Sequence, residues 1–325
     1  MAVFTSVTDD QARVLLEDYE VGEFRSLTGI SAGIENTNYF LDTDVGSYVL
    51  TIFEVLTAEQ LPFYVELMYC LASRGVPVPM PQTRRDQSRI STLHGKPAII
   101  VSRLSGQWVR QPTLAHCELA AQTMARLHLE GAGFERQQAN LRGFPWWQAT
   151  APTLTPYLTA EQNELLRQAL EEQIQVRSGT GLEQLPMGPA HCDYFRDNVL
   201  FIGSHEAPAM GGVIDFYFAG SDHWLFDIAV AVNDWCIERN TGELLPDHVQ
   251  AWLAAYNSVR PLTDDERQQW PCMLRAAALR FWISRLYDYH LPRPAETLTP
   301  HDPEHFERIL RSRMTQPIAA IPENF

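Results

Sequence analysis

Apolar residues change rhythm about a third of the way along the chain. From Phe24 to about Leu104 they come in short runs broken by turn residues, and after Ser105–Gly106 they recur at helical spacing over longer stretches. In the first region Phe24–Ile30 reads as a strand and Ser31–Thr37 as a glycine-containing turn. Asn38–Asp42 and Ser47–Phe53 pair as strands across Thr43–Gly46. A helix follows, with Thr57 and Gln60 as a capping-box pair and Leu61, Val65, Met68 and Leu71 on one apolar face. Gly75 ends it, ahead of the proline-punctuated Val76–Pro81. Ile90–His94 and Pro97–Arg103 form a hairpin turning at Gly95.

In the second region Thr113–Glu130 is helical and is closed by Gly131. Thr159 and Gln162 cap another helix, and Pro246–Ser258 is a third. Thr263 and Glu266 cap a long one that reaches about His290, with a kink or restart expected at Pro271. Between them lies a short strand pair, Val199–Ile202 and Val213–Asp215. The pattern predicts an α+β chain: an antiparallel-sheet small lobe over residues 1–104 and a mainly helical large lobe over 105–325, joined near Ser102–Gln107. A crevice between two lobes is a common place for a ligand.

Composition narrows the partners. The 325 residues carry a formal charge of −15, which disfavours nucleic acid and anionic membrane as partners. The five cysteines are widely spaced, without C-x-x-C, and fit reduced thiols in the cytoplasm. No basic segment followed by an apolar run opens the chain, and no stretch reaches about 18 apolar residues, so neither a signal peptide nor a membrane span is expected. Lys96 is the only lysine among 25 Lys and Arg residues.

The chemistry concentrates in His191-Cys-Asp193-Tyr-Phe-Arg196-Asp197-Asn198-Val-Leu-Phe, followed by Asp215 after an apolar strand and by Asp227 in Leu-Phe-Asp-Ile-Ala. Phosphoryl transfer needs a fixed carboxylate to orient the acceptor hydroxyl and take its proton. It also needs oxygen ligands for Mg²⁺ on the triphosphate. Asp193 suits the first task, and Asn198 and Asp215 the second, because a hairpin brings its outer ends together. Each residue alone has a bland reading: a D-x-x-x-x-N spacing is common, His191 could be structural, and Asp227 could cap a helix. The combination favours a kinase site that uses ATP and Mg²⁺ on a small-molecule substrate.

The chain resembles the aminoglycoside phosphotransferase and choline kinase superfamily, which has the two-lobed protein-kinase-like fold. Within it, the loop, Gly33-Ile-Glu-Asn-Thr-Asn-Tyr39, Tyr48-Val-Leu-Thr-Ile-Phe-Glu54 and Arg280-Phe-Trp-Ile-Ser-Arg-Leu286 are similar to the homoserine kinases of this fold. The resemblance implies Asp193 as catalytic aspartate, Asn198 and Asp215 as metal ligands, and Asp227 as support for the loop. It also implies conversion of L-homoserine to O-phospho-L-homoserine, on the way to threonine. Thr51 stands where most such kinases place a phosphate-binding lysine.

The remaining candidates follow from what each ligand needs. Backbone amides of Ser31–Thr37, with Ser31, Gly33 and Asn36, would cover the phosphates; without the catalytic loop a plain Gly/Asn hairpin turn is the better reading, and the loop reverses that preference. Ser102 to Leu104 would hold adenine through main-chain groups. A zwitterionic acceptor needs a cation for its carboxylate, for which Arg196, Arg280 and Arg285 are candidates, and Asp197 could meet its amine. For arginines on a long helix the bland alternative is exposure or an ion pair. Phe144-Pro-Trp146-Trp147 reads as helix packing before it reads as a pocket. Choline, an aminoglycoside, a sugar or a protein serine or threonine are the competing acceptors. A pseudokinase is the non-catalytic alternative, supported by the missing lysine and opposed by intact Asp193, Asn198 and Asp215.

Overall fold

Antiparallel strands and two helices make up about half of the first hundred residues. The computed structural model describes residues 4–30, 36–292 and 301–322. The chain divides into two units. Among the described residues, one runs to Ser105 and takes in Gly212–Ile214, and the other comprises Gly106–Gly211, 215–292 and 301–322.

In the first unit, helix α1 (Asp9–Leu16) precedes strands β1 (Phe24–Gly29), β2 (Asn36–Thr43) and β3 (Ser47–Phe53). Helix α2 (Leu61–Ser73) then leads to β4 (Ser91–Leu93) and β5 (Lys96–Ser102), and the sheet order is β1-β2-β3-β5-β4. Alternation sorts the strand residues between two faces. Tyr39, Leu41, Leu50, Ile52, Ala98 and Ile100 share one face and pack with Ala12, Leu15 and Leu16 of α1. Thr51 lies on the other face, paired in register with Asn38 and Ile99. The Thr57–Gln60 cap is only half formed. The Thr57 N–H donates to Gln60 Oε1 at 3.0 Å, but the helix begins at Leu61.

The second unit contains α3 (Leu114–Gly131), α4 (Phe144–Leu154), α5 (Ala160–Ser178), β6 (Met187–Ala190), β7 (Val199–Gly203) and all but the last two residues of β8 (Pro208–Val213). These are followed by β9 (Gly220–His223), α6 (Trp224–Trp235), α7 (Pro246–Val259), α8 (Asp264–His290) and α9 (Glu304–Thr315). Strand β6 pairs with β9, and β7 with β8. Helix α3 packs along α7, and α8 lies against α6 and α9. The expected break at Pro271 does not occur, and α8 runs through it. One lost hydrogen bond and a ring clash cost about 3 kcal/mol. Burial of Trp270, Met273, Leu274 and Ala276 to Leu279 along the same helix offsets that cost. The expected strand Val213–Asp215 is displaced: β8 runs Pro208–Val213 and shares only Val213 with it.

Gly212, at φ 143°, is required where β8 ends. A Cβ there would stand 2.5 Å from Leu104 Cδ1 and 2.6 Å from the Pro77 carbonyl oxygen. The Val213 N–H donates to that same oxygen at 2.8 Å. No described helix is long and apolar enough to cross a membrane.

Candidate active site

The loop from His191 to Asn198 is tied down at both ends by one helix. Asp227 and Asp234 lie seven residues apart on α6, which puts them on the same face two turns apart. Asp227 Oδ2 accepts from the His191 N–H at 2.9 Å, and Oδ1 accepts from the Cys192 N–H at 2.7 Å. Asp234 Oδ2 accepts from the Arg196 N–H at 2.9 Å and from Arg196 Nε at 3.0 Å. Burial would raise the Asp227 carboxyl, but the His128 hydrogen bond and charge outweigh it and hold the group below the usual carboxylate range. Cys192 is left-handed at φ 61°, a conformation that costs a non-glycine residue about 1–2 kcal/mol. The short bond from its N–H to Asp227 supports that turn. Asp227 therefore braces the loop from below rather than capping its own helix.

Arg196 is committed elsewhere than to a ligand. Its guanidinium grips Asp234 through Nε and through Nη2 at 3.1 Å, and Nη1 donates to the Arg110 carbonyl at 2.8 Å. Only 4% of the residue is exposed. A buried, bidentate pair of this kind is costly to break, so the expectation of Arg196 as an acceptor ligand gives way to a bracing role. Asp234, its partner, was not singled out in the sequence. The seven-residue spacing from Asp227 is the signal that would have found it.

Asp193 projects from the clamped loop. The Asn198 amide donates to the Asp193 carbonyl at 2.9 Å and to its Oδ2 at 3.2 Å. Burial pushes the Asp193 carboxyl up to about 7. Arg280 opposes the shift, while the like charges of Asp215 and Asp197 reinforce it. The residue as a whole is half-buried. Asp215 follows β8 in a left-handed conformation, φ 64° and ψ 63°, at the start of a short 3-10 turn. Asp197 is exposed.

Arg280 is 3% exposed, and its Nε is buried without a hydrogen-bond partner among the described residues. Burial pushes it down to about 10, against the attraction of Asp193. Its guanidinium lies 3.7 Å from the Phe281 ring centroid and 5.6 Å from that of Phe218. Arg285, one residue beyond Ser284 on α8, donates to the Asp302 carbonyl at 3.3 Å and covers Phe306 at 4.6 Å. Trp147 is buried against Phe226, as the packing reading of that aromatic stretch expects, and Trp146 meets Tyr287 edge-on.

The donor set suits a hard divalent cation. Because the Asn198 NH₂ is spent on Asp193, its Oδ1 is the atom left to act as ligand, alongside the Asp215 carboxylate. Among the described residues no group of three or more His, Cys, Asp or Glu could hold a metal by itself.

In the first unit, Ser31 and Gly33 lie outside the described residues. Asn36 opens β2, buried and in register with Phe53. Ser102 closes β5, with its N–H donating to the Met80 carbonyl and its Oγ accepting from the Met80 N–H, both at 2.9 Å. Leu104 is half-buried beside Gly212. Lys96 does not stand in for the missing lysine. It is paired with Glu54 and donates to Thr5 Oγ1 at 2.8 Å. Strand register puts it on the Ala98 face, opposite Thr51. The Thr51 hydroxyl instead donates to Asn38 Oδ1 at 2.7 Å.

Residues 26–262 match the phosphotransferase enzyme family. The chain belongs to that family. As a phosphotransferase, it is 52% identical to a homoserine kinase of Burkholderia lata over 329 residues, 99% of this chain and 98% of that protein. It is equally similar, 52% over 318 residues, to a homoserine kinase of Paraburkholderia phymatum, with 97% of this chain and 98% of that one covered. Among solved structures, a microcompartment-associated aminopropanol kinase shares the fold, with a TM-score of 0.67 at 18% identity over 93% of each chain.

Proposed function

We propose that this phosphotransferase moves the γ-phosphate of ATP to the side-chain hydroxyl of L-homoserine, as the names of its 52%-identical relatives suggest. The observation that carries the acceptor is Arg280: a buried guanidinium with an unmatched Nε, placed where its charge acts on the candidate base. A buried cation without a full set of partners is costly, and a ligand carboxylate repays that cost with a charge-assisted fork.

In this reading Asp193 accepts the hydroxyl proton while the Asn198 amide steadies Oδ2. The homoserine oxygen forms a bond to the γ-phosphorus as the bond to the bridging oxygen breaks, and ADP leaves. Asn198 Oδ1 and Asp215 would hold Mg²⁺, which neutralises phosphate charge. Ser31–Thr37, including Ser31, Gly33 and Asn36, would cover the phosphates, and the main chain at Ser102 to Leu104 would hold adenine. Arg280, with Arg285 as the neighbouring candidate, takes the carboxylate, and Asp197 takes the amine. The product serves threonine biosynthesis, and the cytoplasm is the expected compartment.

The test is a coupled ADP-release assay across homoserine, serine, threonine, choline and kanamycin, with Arg280→Ala alongside. Homoserine should be preferred. Losing a charge-assisted fork should raise its KM about 10- to 150-fold and leave the ATP KM unchanged. Wild type should use 3-amino-1-propanol, which is homoserine without its carboxylate, poorly, and Arg280→Ala should barely worsen it. A clear preference for choline or kanamycin would defeat the acceptor assignment and spare the phosphotransferase.

A further inference from the structure

Behind the loop clamp lies a second layer of buried polar groups. His128 of α3 meets Asp227 Oδ2 through Nε2 at 3.0 Å, and its Nδ1 lies 2.6 Å from the Tyr256 hydroxyl of α7. Tyr256 accepts from Arg260 Nε at 2.6 Å, and Arg260 Nη2 pairs with Glu266 in the first turn of α8. Glu266 in turn accepts the Thr263 N–H at 2.9 Å, as half of the α8 capping box. His128, Tyr256, Asp227 and Glu266 are all 0% exposed. Trp224 covers the row, its ring stacked on His128 at 5.3 Å and lying 5.1 Å from the Arg260 guanidinium carbon.

The protons in this row can be ordered in only one direction. An arginine donates and cannot accept, so Arg260 gives its Nε–H to the tyrosine oxygen. The tyrosine proton then points to the remaining acceptor in the row, His128 Nδ1. His128 must carry its proton on Nε2, aimed at Asp227. The electrostatics agree: burial lowers the His128 pKa and raises that of Tyr256, so neither changes state near neutral pH. Arg260 and Glu266 are the charged groups that face the row from beyond Tyr256, and Asp227 faces it from the loop side.

We infer that His128 and Tyr256 are positioning residues for the phosphoryl transfer. A one-way hydrogen-bond relay, starting at the Arg260–Glu266 pair at the head of α8, sets the angle of the Asp227 carboxylate and with it the Cys192 turn that aims Asp193. Arg280 rides on the same α8, so the base and the carboxylate fork are referred to one frame. The inference rests on the reading of Asp193 as the base, and its spectroscopic arm is independent of the acceptor.

Histidine-labelled protein decides it by ¹⁵N NMR together with steady-state kinetics. In wild type, His128 should stay neutral and protonated at Nε2 at neutral pH and above. Tyr256→Phe keeps the ring and removes the link. It should mix the tautomers and lower kcat on the order of 10- to 100-fold, with both KM values within about twofold. His128→Gln, which keeps a donor for Asp227, should retain more kcat than His128→Ala. The relay is overturned if His128 is protonated at Nδ1 or titrates near neutrality in wild type. It is also overturned if Tyr256→Phe and His128→Ala, assayed well below their melting temperatures, match wild-type kcat. A wild type inactive on homoserine would defeat the acceptor proposal alone and leave the NMR arm to decide the relay.

Discussion

Asp193 has neighbours that pull its titration in opposite directions. Burial leads the upward shift to about 7, Arg280 opposes it, and Asp215 and Asp197 add to it. A base must be ionised to work, so kcat/KM for the acceptor should rise with pH and level off above about 7. The linkage sign follows from the raised value. Between about 4, the ordinary aspartate value, and about 7, the folded protein holds a proton that the unfolded chain releases, so this group's contribution lowers stability as pH rises through that window. Asp193→Asn removes the unfavourable charge. It should cut turnover about 10²-fold or more while raising the melting temperature at pH 8.5. After discounting for the residue's partial exposure, the gain is on the order of 1–2 kcal/mol and should fade toward pH 5. Melting curves at the two pH values, with turnover measured on the same samples, test both halves. A folded mutant with normal turnover removes Asp193 from the role of base, and an unchanged melting temperature removes the strained-carboxylate account.

Strand parity decides a question that residue identity leaves open. A lone lysine on the strand next to that of Thr51 invites the idea that it replaces the usual phosphate cation, yet register places Lys96 on the face packed against α1, with Glu54 and Thr5. Lys96→Met should therefore leave the ATP KM within about twofold of wild type, with any loss confined to thermal stability. Thr51→Ala loses one hydroxyl bond to Asn38 and should also be mild, well short of the loss at Asp193. Steady-state kinetics on both variants check this, and a tenfold rise in ATP KM for Lys96→Met would break the parity argument. The same physics explains what could be read in the sequence. Strand β2 and the helices α3, α5, α7 and α8 were legible because one face is buried or because a cap such as Thr159–Gln162 marks the start, and β3 and β5 because their apolar runs, buried on both faces at Leu50–Phe53 and Ala98–Val101, lie between turn residues. Helix α6 was not legible: all its residues are buried, so no polar face alternates with the core. Strand β6, Met-Gly-Pro-Ala, and β9, Gly-Ser-Asp-His, carry no strand pattern at all. The loop residues were recognisable by type and spacing. Their supports, Asp234, His128 and Tyr256, come from three different helices, and only tertiary packing makes them neighbours.

Charge acts at the scale of the whole molecule. The chain carries −15 at neutral pH, and the two substrates of the proposed reaction respond to it differently. Homoserine is a zwitterion with no net charge, whereas Mg·ATP is an anion that must approach through a repulsive field. Screening shortens the reach of that field from about 30 Å at 0.01 M salt to about 10 Å at 0.1 M. Moving from the lower to the higher ionic strength at constant Mg²⁺ should therefore lower the ATP KM by about two- to fivefold, and the homoserine KM should move by less than about twofold. In the proposed reading homoserine's carboxylate meets the buried Arg280, where salt screens little, so its affinity should depend on local geometry rather than on the net field. Initial rates in potassium chloride series, varied in one substrate at a time, separate the two effects. If the ATP KM rises with salt instead, local cations dominate the nucleotide's approach, and the net charge of the chain does not govern it.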